Sequence, residues 1–518
     1  MEMSLKKLIN IFLLAFILFL VLYAKKIIGI IDVITGKSKK ENTLDINNIN
    51  QNLVKSENAI QGELSLIGEQ MQKEIDEGKR HDFDKIVFCN IGNPQAVGQK
   101  PITFYRQVLS LLEHPELLDE TNIESLYPKD VIERAREYLE KSKFGVGAYT
   151  NAQGFEFILD DVAEFIEKRD GYKSNTTNIF LTNGASEGIQ MIFITIIRNK
   201  RDGILIPIPQ YPLYSDTITL LGGTEIHYYL DESKGWGISM EEIKNNVKSA
   251  RLRGINPRGL VVINPGNPTG QILEVENMKE IIEFCHKENI VLMADEVYQE
   301  NVYAEGKKFI SFRKVLYDMG EEYNDVQLIS FHSVSKGFLG ECGHRGGYFE
   351  LVNINPEVTE QIYKLASARS CSNTLGQLMV SLMVRPPKEG GPSYDLFQEE
   401  KYNILNELKE RSILLAEEFN NIPGLQCSVP QGAMYIFPSI DLPKKFIEEA
   451  KKLGKEPDFL WCKYMLEEAG IVLVPGSGFG QKPGTYHFRS TFLPDKDTLR
   501  GAAYRMKAVQ EKILEEYS

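Results

Sequence analysis

The sequence predicts an α/β fold built on a largely parallel sheet, followed by a smaller α+β region. Three observations carry this reading. From about residue 178, short apolar runs alternate with stretches of helical periodicity, giving strand candidates at 178–182, 204–208, 259–263, 290–294 and 326–331. Between two of them, residues 275–287 have helical spacing, and the order strand, helix, strand predicts a largely parallel sheet. After Pro392 the pattern changes to a long charged helix over 395–419, in which Glu399 and Glu400 alternate with Leu405, Leu408, Leu414 and Leu415. A segment over 432–438, a helix near 459–469 and a strand over 485–492 complete the chain.

The N-terminus stands apart from this pattern. Lys6 and Lys7 precede an apolar run over 8–24, broken only by Asn10 and closed by Lys25 and Lys26. A bilayer span takes about 20 apolar residues, so the run is marginal for an anchor. A charged start before an apolar stretch also fits a secretory signal, although Leu22-Tyr23-Ala24 is a poor cleavage site. Anchor, cleaved signal and unusual soluble leader therefore all stay open, and the compartment is unassigned. Residues 36–58 are polar and rich in Asn and Lys, as a linker would be.

Composition excludes some partners. Of 518 residues, 59 are Lys or Arg and 72 are Asp or Glu, a net charge of -13. Nucleic acid is not expected, because a phosphate backbone calls for clustered basic surface. Hydrophobic content of 42% and charged content of 25% are those of a globular protein. The six cysteines include no CxxC pair and read as reduced thiols, most of them buried.

Four segments carry chemistry, and all fall after predicted strands, where ligands sit in open α/β sheets. The first is Ser330-Phe-His-Ser333-Val-Ser335-Lys336-Gly337. A lysine is usually a solvated surface charge. Here it lies among hydroxyls and close to Arg345, and lysine amines form Schiff bases with carbonyl cofactors when their surroundings lower their pKa. The second is Asp295-Glu296-Val297-Tyr298. Asp295 is either a helix cap or a carboxylate that keeps a pyridinium nitrogen protonated. The third, Asn264-Pro-Gly-Asn267-Pro268-Thr-Gly270, is a turn that offers Asn267 to a ligand. The fourth, Asn183-Gly184-Ala185-Ser186, opens a helix whose free N–H groups favour phosphate.

Taken together, Lys336, Asp295 with Tyr298, and Asn267-Pro-Thr-Gly resemble the fold-type I, class I and II pyridoxal phosphate (PLP) aminotransferases in order and spacing. The resemblance runs from about residue 90 to 494 and is strongest to the alanine-specific branch. Its stretches begin at Asn90, Leu181, Pro207, Phe331 and Val474. It implies a mostly parallel seven-stranded sheet between helices, in a large domain over 121–393. The small α+β domain would combine 59–120 with 394–518, and residues 1–35 would be the leader or anchor.

The same resemblance implies the roles. Lys336 would be the Schiff-base lysine and general base, Asp295 the partner of the pyridine nitrogen, and Asn267 and Tyr298 the ligands of the ring hydroxyl. Tyr211 would stack on the ring; Ala185, Ser186, Ser333, Ser335 and Arg345 would hold the phosphate. His344 precedes Arg345, so which of the two reaches the phosphate stays open. Tyr149 would reach the phosphate of a neighbouring subunit, implying a homodimer. Arg489, with Gly92 and Asn267, would bind the substrate, the arginine clamping the α-carboxylate bidentately. The expected reaction is ping-pong transamination between L-alanine and 2-oxoglutarate, with no metal. Rival readings are another donor and acceptor pair, such as glutamate and glyoxylate, a PLP lyase, or a non-catalytic membrane-tethered module. A dinucleotide loop at 343–347 is excluded, because no G-x-G-x-x-G opens a helix after a first strand.

Overall fold

The structure, a computed structural model, describes residues 19–20, 23–24, 27, 44–56 and 62–518. The chain forms two compact units, residues 1–56 and 57–518. In the first, a short helix Gln51–Lys55 lies within the stretch expected to be linker, capped by the Asn50 side chain on the Asn52 N–H. Most of the apolar run at 8–24 lies outside the described residues. Among the described residues, no helix is long and apolar enough to cross a membrane.

The second unit is organised by an eight-stranded sheet. Its strands are β2 (Ile179–Thr182), β3 (Asp202–Ile208), β4 (Thr224–Asp231), β5 (Gly237–Ile238), β6 (Asn256–Ile263), β7 (Val291–Asp295), β8 (Leu328–Ser333) and β9 (Gly347–Val352). They run in the order β2-β9-β8-β7-β6-β3-β4-β5. The β8, β7, β6, β3 and β4 strands are mutually parallel, β9 is antiparallel to β2 and β8, and β5 is antiparallel to β4. The strand beyond the expected seven is β5, whose two residues are too few to leave a periodic signal.

Central strands are apolar on both faces because helices cover both. Ile204, Ile206, Val261, Ile263, Met293, Ile329 and Phe331 face one core with Ile189, Ile192 and Phe193 of the helix Ala185–Ile196. The alternate residues Leu205, Leu260, Val262, Leu292, Ala294 and Leu328 face another core, with the helices Met240–Leu252, Val275–Glu288 and Phe312–Met319. This period-two division is the strand geometry that buried parallel sheets require.

Smaller strands complete the unit: β1 (Val87–Phe88), β10 (Leu425–Gln426), β11 (Tyr435–Ile436), β12 (Ser439–Ile440), β13 (Ile471–Val472), β14 (Val474–Pro475) and β15 (Phe488–Thr491). The order β11-β15-β14 forms an antiparallel sheet, and β1 pairs in parallel with β13. The long helix is Tyr394–Asn420. The helix Pro457–Ala469 brings the buried Trp461 against Phe488 of β15, with ring centroids 4.7 Å apart. Trp461 Nε1 donates to Gln510 Oε1 at 2.8 Å, so β15 is fixed from behind. One apolar core is continuous from β3 and β6 through Tyr435 and Phe488 to Met506 and Ile513 of the helix Lys496–Glu516.

Candidate active site

The carboxyl ends of β6, β7 and β8 open onto one cavity of about 260 Å³. Asp295 is the last residue of β7, paired with Ile263 on one side and Phe331 on the other, so its carboxylate emerges at the centre of the sheet edge. Asn267 lies in the turn after β6 and Ser333 at the end of β8; Ser335 and Lys336 follow directly. Tyr211 follows β3, and Ala185 and Ser186 open the helix after β2. Arg489 arrives from β15 and Gly92 from the loop after β1. All of these line the cavity with Tyr298 and Arg345.

Its floor is the buried Asp295 carboxyl. Oδ2 accepts from the Tyr214 hydroxyl at 2.6 Å and Oδ1 from the Val297 N–H at 3.4 Å. Burial raises this carboxyl above its ordinary range, against the lowering pull of Tyr214, the Val297 N–H and Lys336. A buried carboxylate whose desolvation is only partly offset is suited to a cation.

At one end lies an anion cradle. The helix Ala185–Ile196 begins after Gly184 (φ +80°), which offers no side-chain cap, so its first N–H groups face outward. Arg345 Nη2 donates to Ser186 Oγ at 3.1 Å and to the Asn183 carbonyl at 3.0 Å. Ser333 Oγ and Ser335 Oγ are 3.0 Å apart. His344 instead pairs with Glu341, Nδ1 to Oε2 at 2.8 Å, and does not line the cavity. Arg345 is thus the cationic side chain that reaches the cradle.

At the opposite end Arg489 is fully buried, its guanidinium carbon 4.2 Å from the Tyr435 ring centre and 4.6 Å from that of Phe479. Nη1 donates to Asn267 Oδ1 at 3.2 Å and Nη2 to the Asn90 carbonyl. Nε has no partner. A buried cation with a free donor, flanked by two aromatic faces, has the chemistry to receive a carboxylate. Between the two ends, the half-buried Lys336 extends Nζ to the Gly92 carbonyl at 3.0 Å. A Cβ at Gly92 would overlap the Tyr435 hydroxyl.

Tyr149 is the one expected site residue outside this cavity; it is 83% exposed. Sequence reasoning passed over Tyr435, Asn93 and Cys342, which also line the cavity, and Tyr214 beneath Asp295. Tyr435 lies in an apolar segment that gives no local sign of a polar task. Of the six thiols expected to be mostly buried, Cys89, Cys285 and Cys462 are buried and Cys342, Cys371 and Cys427 only partly so; Cys342 Sγ lies 3.3 Å from Asn93 Oδ1.

A sheet-edge cavity that brings together an amine, a buried carboxylate, an uncapped helix start beside an arginine, and a second, buried arginine with one unpaired nitrogen has the groups to hold an anionic cofactor and a carboxylate. Residues 116–505 match the family described as aminotransferase class I and II, and the chain belongs to it. It is 51% identical over 487 residues to the probable mitochondrial alanine aminotransferase of Dictyostelium discoideum, covering 93% of this chain and 91% of that protein. It is 48% identical over 475 residues to glutamate–glyoxylate aminotransferase 1 of Arabidopsis thaliana, covering 92% and 97%. Among solved structures, the alanine aminotransferase of Pyrococcus furiosus superposes with a TM-score of 0.70 at 25% identity, over 90% of this chain and 100% of that one.

Proposed function

We propose that the chain catalyses PLP-dependent transamination, L-alanine and 2-oxoglutarate giving pyruvate and L-glutamate. The observation that carries this reading is the meeting of Lys336, Asp295 and Arg489 with an anion cradle in one cavity. The residues fit PLP: an uncapped helix start with Arg345 and three seryl hydroxyls for the phosphate, Asp295 for the ring nitrogen, and Lys336 for the aldehyde. When bound, PLP supplies an electron sink that acidifies the α-C–H of an amino acid.

The chain's own residues do the rest. Arg489 orients the substrate by its carboxylate through the free Nε and an Nη. Lys336 Nζ, between that arginine and the Asp295 floor, moves the α-proton as general base and acid, help worth roughly 10²–10⁴-fold. Asp295, held by Tyr214, would pair its carboxylate with the protonated ring nitrogen, a cation that would offset the desolvation of the buried acid. Asn267 and Tyr298 would hold the ring oxygen, and Tyr211 would stack on the ring. The exposed Tyr149 supports a homodimer in which it reaches the phosphate of a second subunit.

The names of the Dictyostelium and Pyrococcus relatives support alanine as donor. The Arabidopsis relative supports glutamate and glyoxylate as a second pair, at nearly the same identity. A panel of amino donors against 2-oxoglutarate and glyoxylate decides between them. Preference for a donor other than alanine overturns the narrower reading. Lys336→Ala should abolish turnover and the Schiff-base absorbance of the purified enzyme. Normal transamination by that variant would sink the assignment of the lysine.

A further inference from the structure

Lys336 stands outside every strand and helix, three residues past the end of β8. Its turn is held only weakly from within, since the Gly340 N–H reaches the Lys336 carbonyl at 3.4 Å. The next residue, Gly337, has φ +69°, a left-handed conformation that glycine enters and leaves without strain. A reacting amine must be held to within about 0.5 Å of its working position. The restraint therefore has to come from outside the turn.

Asn301, in the loop after β7, supplies it. Its side-chain amide grips both polar groups of Gly337: Oδ1 accepts from the N–H at 2.8 Å, and Nδ2 donates to the carbonyl at 3.3 Å. That N–H belongs to the peptide bond leaving Lys336, so the first of these bonds fixes the plane from which the lysine starts. The partners also settle which way the amide points, because a backbone N–H only donates and a carbonyl only accepts. Nδ2 donates as well to the Tyr303 hydroxyl at 2.9 Å, and that hydroxyl donates to the Ala433 carbonyl at 2.9 Å.

The backbone of Asn301 is fixed in turn. Its N–H donates to the Tyr298 carbonyl at 2.8 Å, and its carbonyl accepts from the Ala433 N–H at 3.1 Å. Val302 bridges to Gly432, and a Cβ at Gly432 would overlap the Asn301 carbonyl. The side chain is fully buried and does not line the cavity. One residue thus joins the turn of Lys336 to the loop of Tyr298 and to the segment that leads into β11.

Resting on the transaminase reading, we propose that Asn301 is a positioning residue, whose amide locks the Lys336–Gly337 peptide and so aims Nζ at the substrate α-carbon. A carboxamide is the side chain that sets a donor beside an acceptor, which is what one residue's N–H and carbonyl demand. The consequence is a lysine whose side chain is free to change partners while its base stays still. Nζ reaches the Gly92 carbonyl at 3.0 Å from that fixed base.

The test begins on the cofactor-free protein, with amide hydrogen exchange read at single residues. The Gly337 amide should exchange slowly in the wild type. In Asn301→Ala it should exchange roughly 10- to 100-fold faster, as loss of a partner by a buried donor implies, while amides of β6 and β7 keep their rates. Fast exchange at Gly337 in the wild type, or an unchanged rate in the variant, overturns the proposal. Asn301→Asp keeps an oxygen for the same N–H and serves if the alanine variant does not fold. Gly337 should stay slow in it, and fast exchange there overturns the proposal as well.

With cofactor loaded, Asn301→Ala should lower kcat by about 10²-fold, the cost of a misplacement near 1 Å, with KM little changed. Tyr303→Phe is the control for packing: it removes the hydroxyl between Asn301 and Ala433 and leaves Gly337 held. It should keep kcat within about tenfold, the worth of one neutral hydrogen bond. An unchanged kcat in Asn301→Ala, or equal losses in the two variants, refutes the positioning role. Absence of transamination with every donor would overturn the parent reading instead, and the exchange at Gly337, measured without cofactor, separates the two failures.

Discussion

Arg489 lies between the rings of Tyr435 and Phe479, with two of its nitrogens engaged and Nε free. Its planar fork is what a carboxylate matches in two hydrogen bonds, and lysine cannot reproduce it. Arg489→Lys keeps the charge but loses a charge-assisted hydrogen bond and the stacking. At about 1.5–3 kcal/mol for such a bond, kcat/KM should fall roughly 10- to 150-fold. Steady-state kinetics with alanine check this; an unaltered kcat/KM would remove Arg489 from substrate binding. At this scale the sequence was most legible where a residue type is rare for its position. A carboxylate ending an apolar strand and a lysine among serines stand out, as Asp295 and Lys336 do. Tyr435 did not, because its place beside Arg489 and Tyr298 comes from the pairing of β11 with β15, and no local pattern links those positions.

At the scale of elements, the cradle depends on a close approach of two strands. Gly347 begins β9 opposite Thr182 of β2. A Cβ there would come 2.8 Å from the Ala185 nitrogen and 2.9 Å from the His332 carbonyl. Both contacts are backbone, so neither can swing away. Gly347→Ala should therefore cost about 1–3 kcal/mol, as overpacking does, and displace the helix start that would face the cofactor phosphate. Calorimetry should show a lower melting temperature, and a titration should show weaker PLP binding; full retention of both would refute the close-approach role. The strands that could be read in advance were those apolar on both faces, such as β6 and β7. The unread strands have a different cause. β4 carries polar residues along a partly exposed length, and β9 lies in a glycine-rich stretch and runs against its neighbours. The helix 275–287, in contrast, was anticipated to within one residue of Val275–Glu288.

For the whole molecule, a buried polar layer beneath the site makes stability depend on pH from both sides. Glu296, next to Asp295, accepts from the Phe312 N–H at 2.8 Å, while its other oxygen has no partner among the described residues. Burial pushes its carboxyl up from 4.5 to about 8, with Arg169 opposing and Asp170 and Asp295 adding to the rise. The folded state thus binds a proton that the unfolded state has released between those values. Its contribution to stability is full below about pH 4.5 and is lost as pH rises towards 8. His332 works in the other direction: burial lowers it from 6.5 to about 3, so its contribution is lost as pH falls through that window. Glu296→Gln should gain on the wild type in denaturant melts as pH rises from 5 to 8. A constant difference between the two proteins across that range would refute the buried proton. None of this layer was visible in the sequence, where Glu296 and His332 look like ordinary polar residues beside motif positions.

The free nitrogen of Arg489 has one further meaning. All four molecules of the proposed reaction, two amino acids and two keto acids, carry the carboxylate that this guanidinium would hold. The arginine is therefore a handle common to every reactant, and it cannot tell one from another. Discrimination falls to the rest of the cavity wall, where Gly92 and the Tyr435 hydroxyl share a space too small for any added side chain.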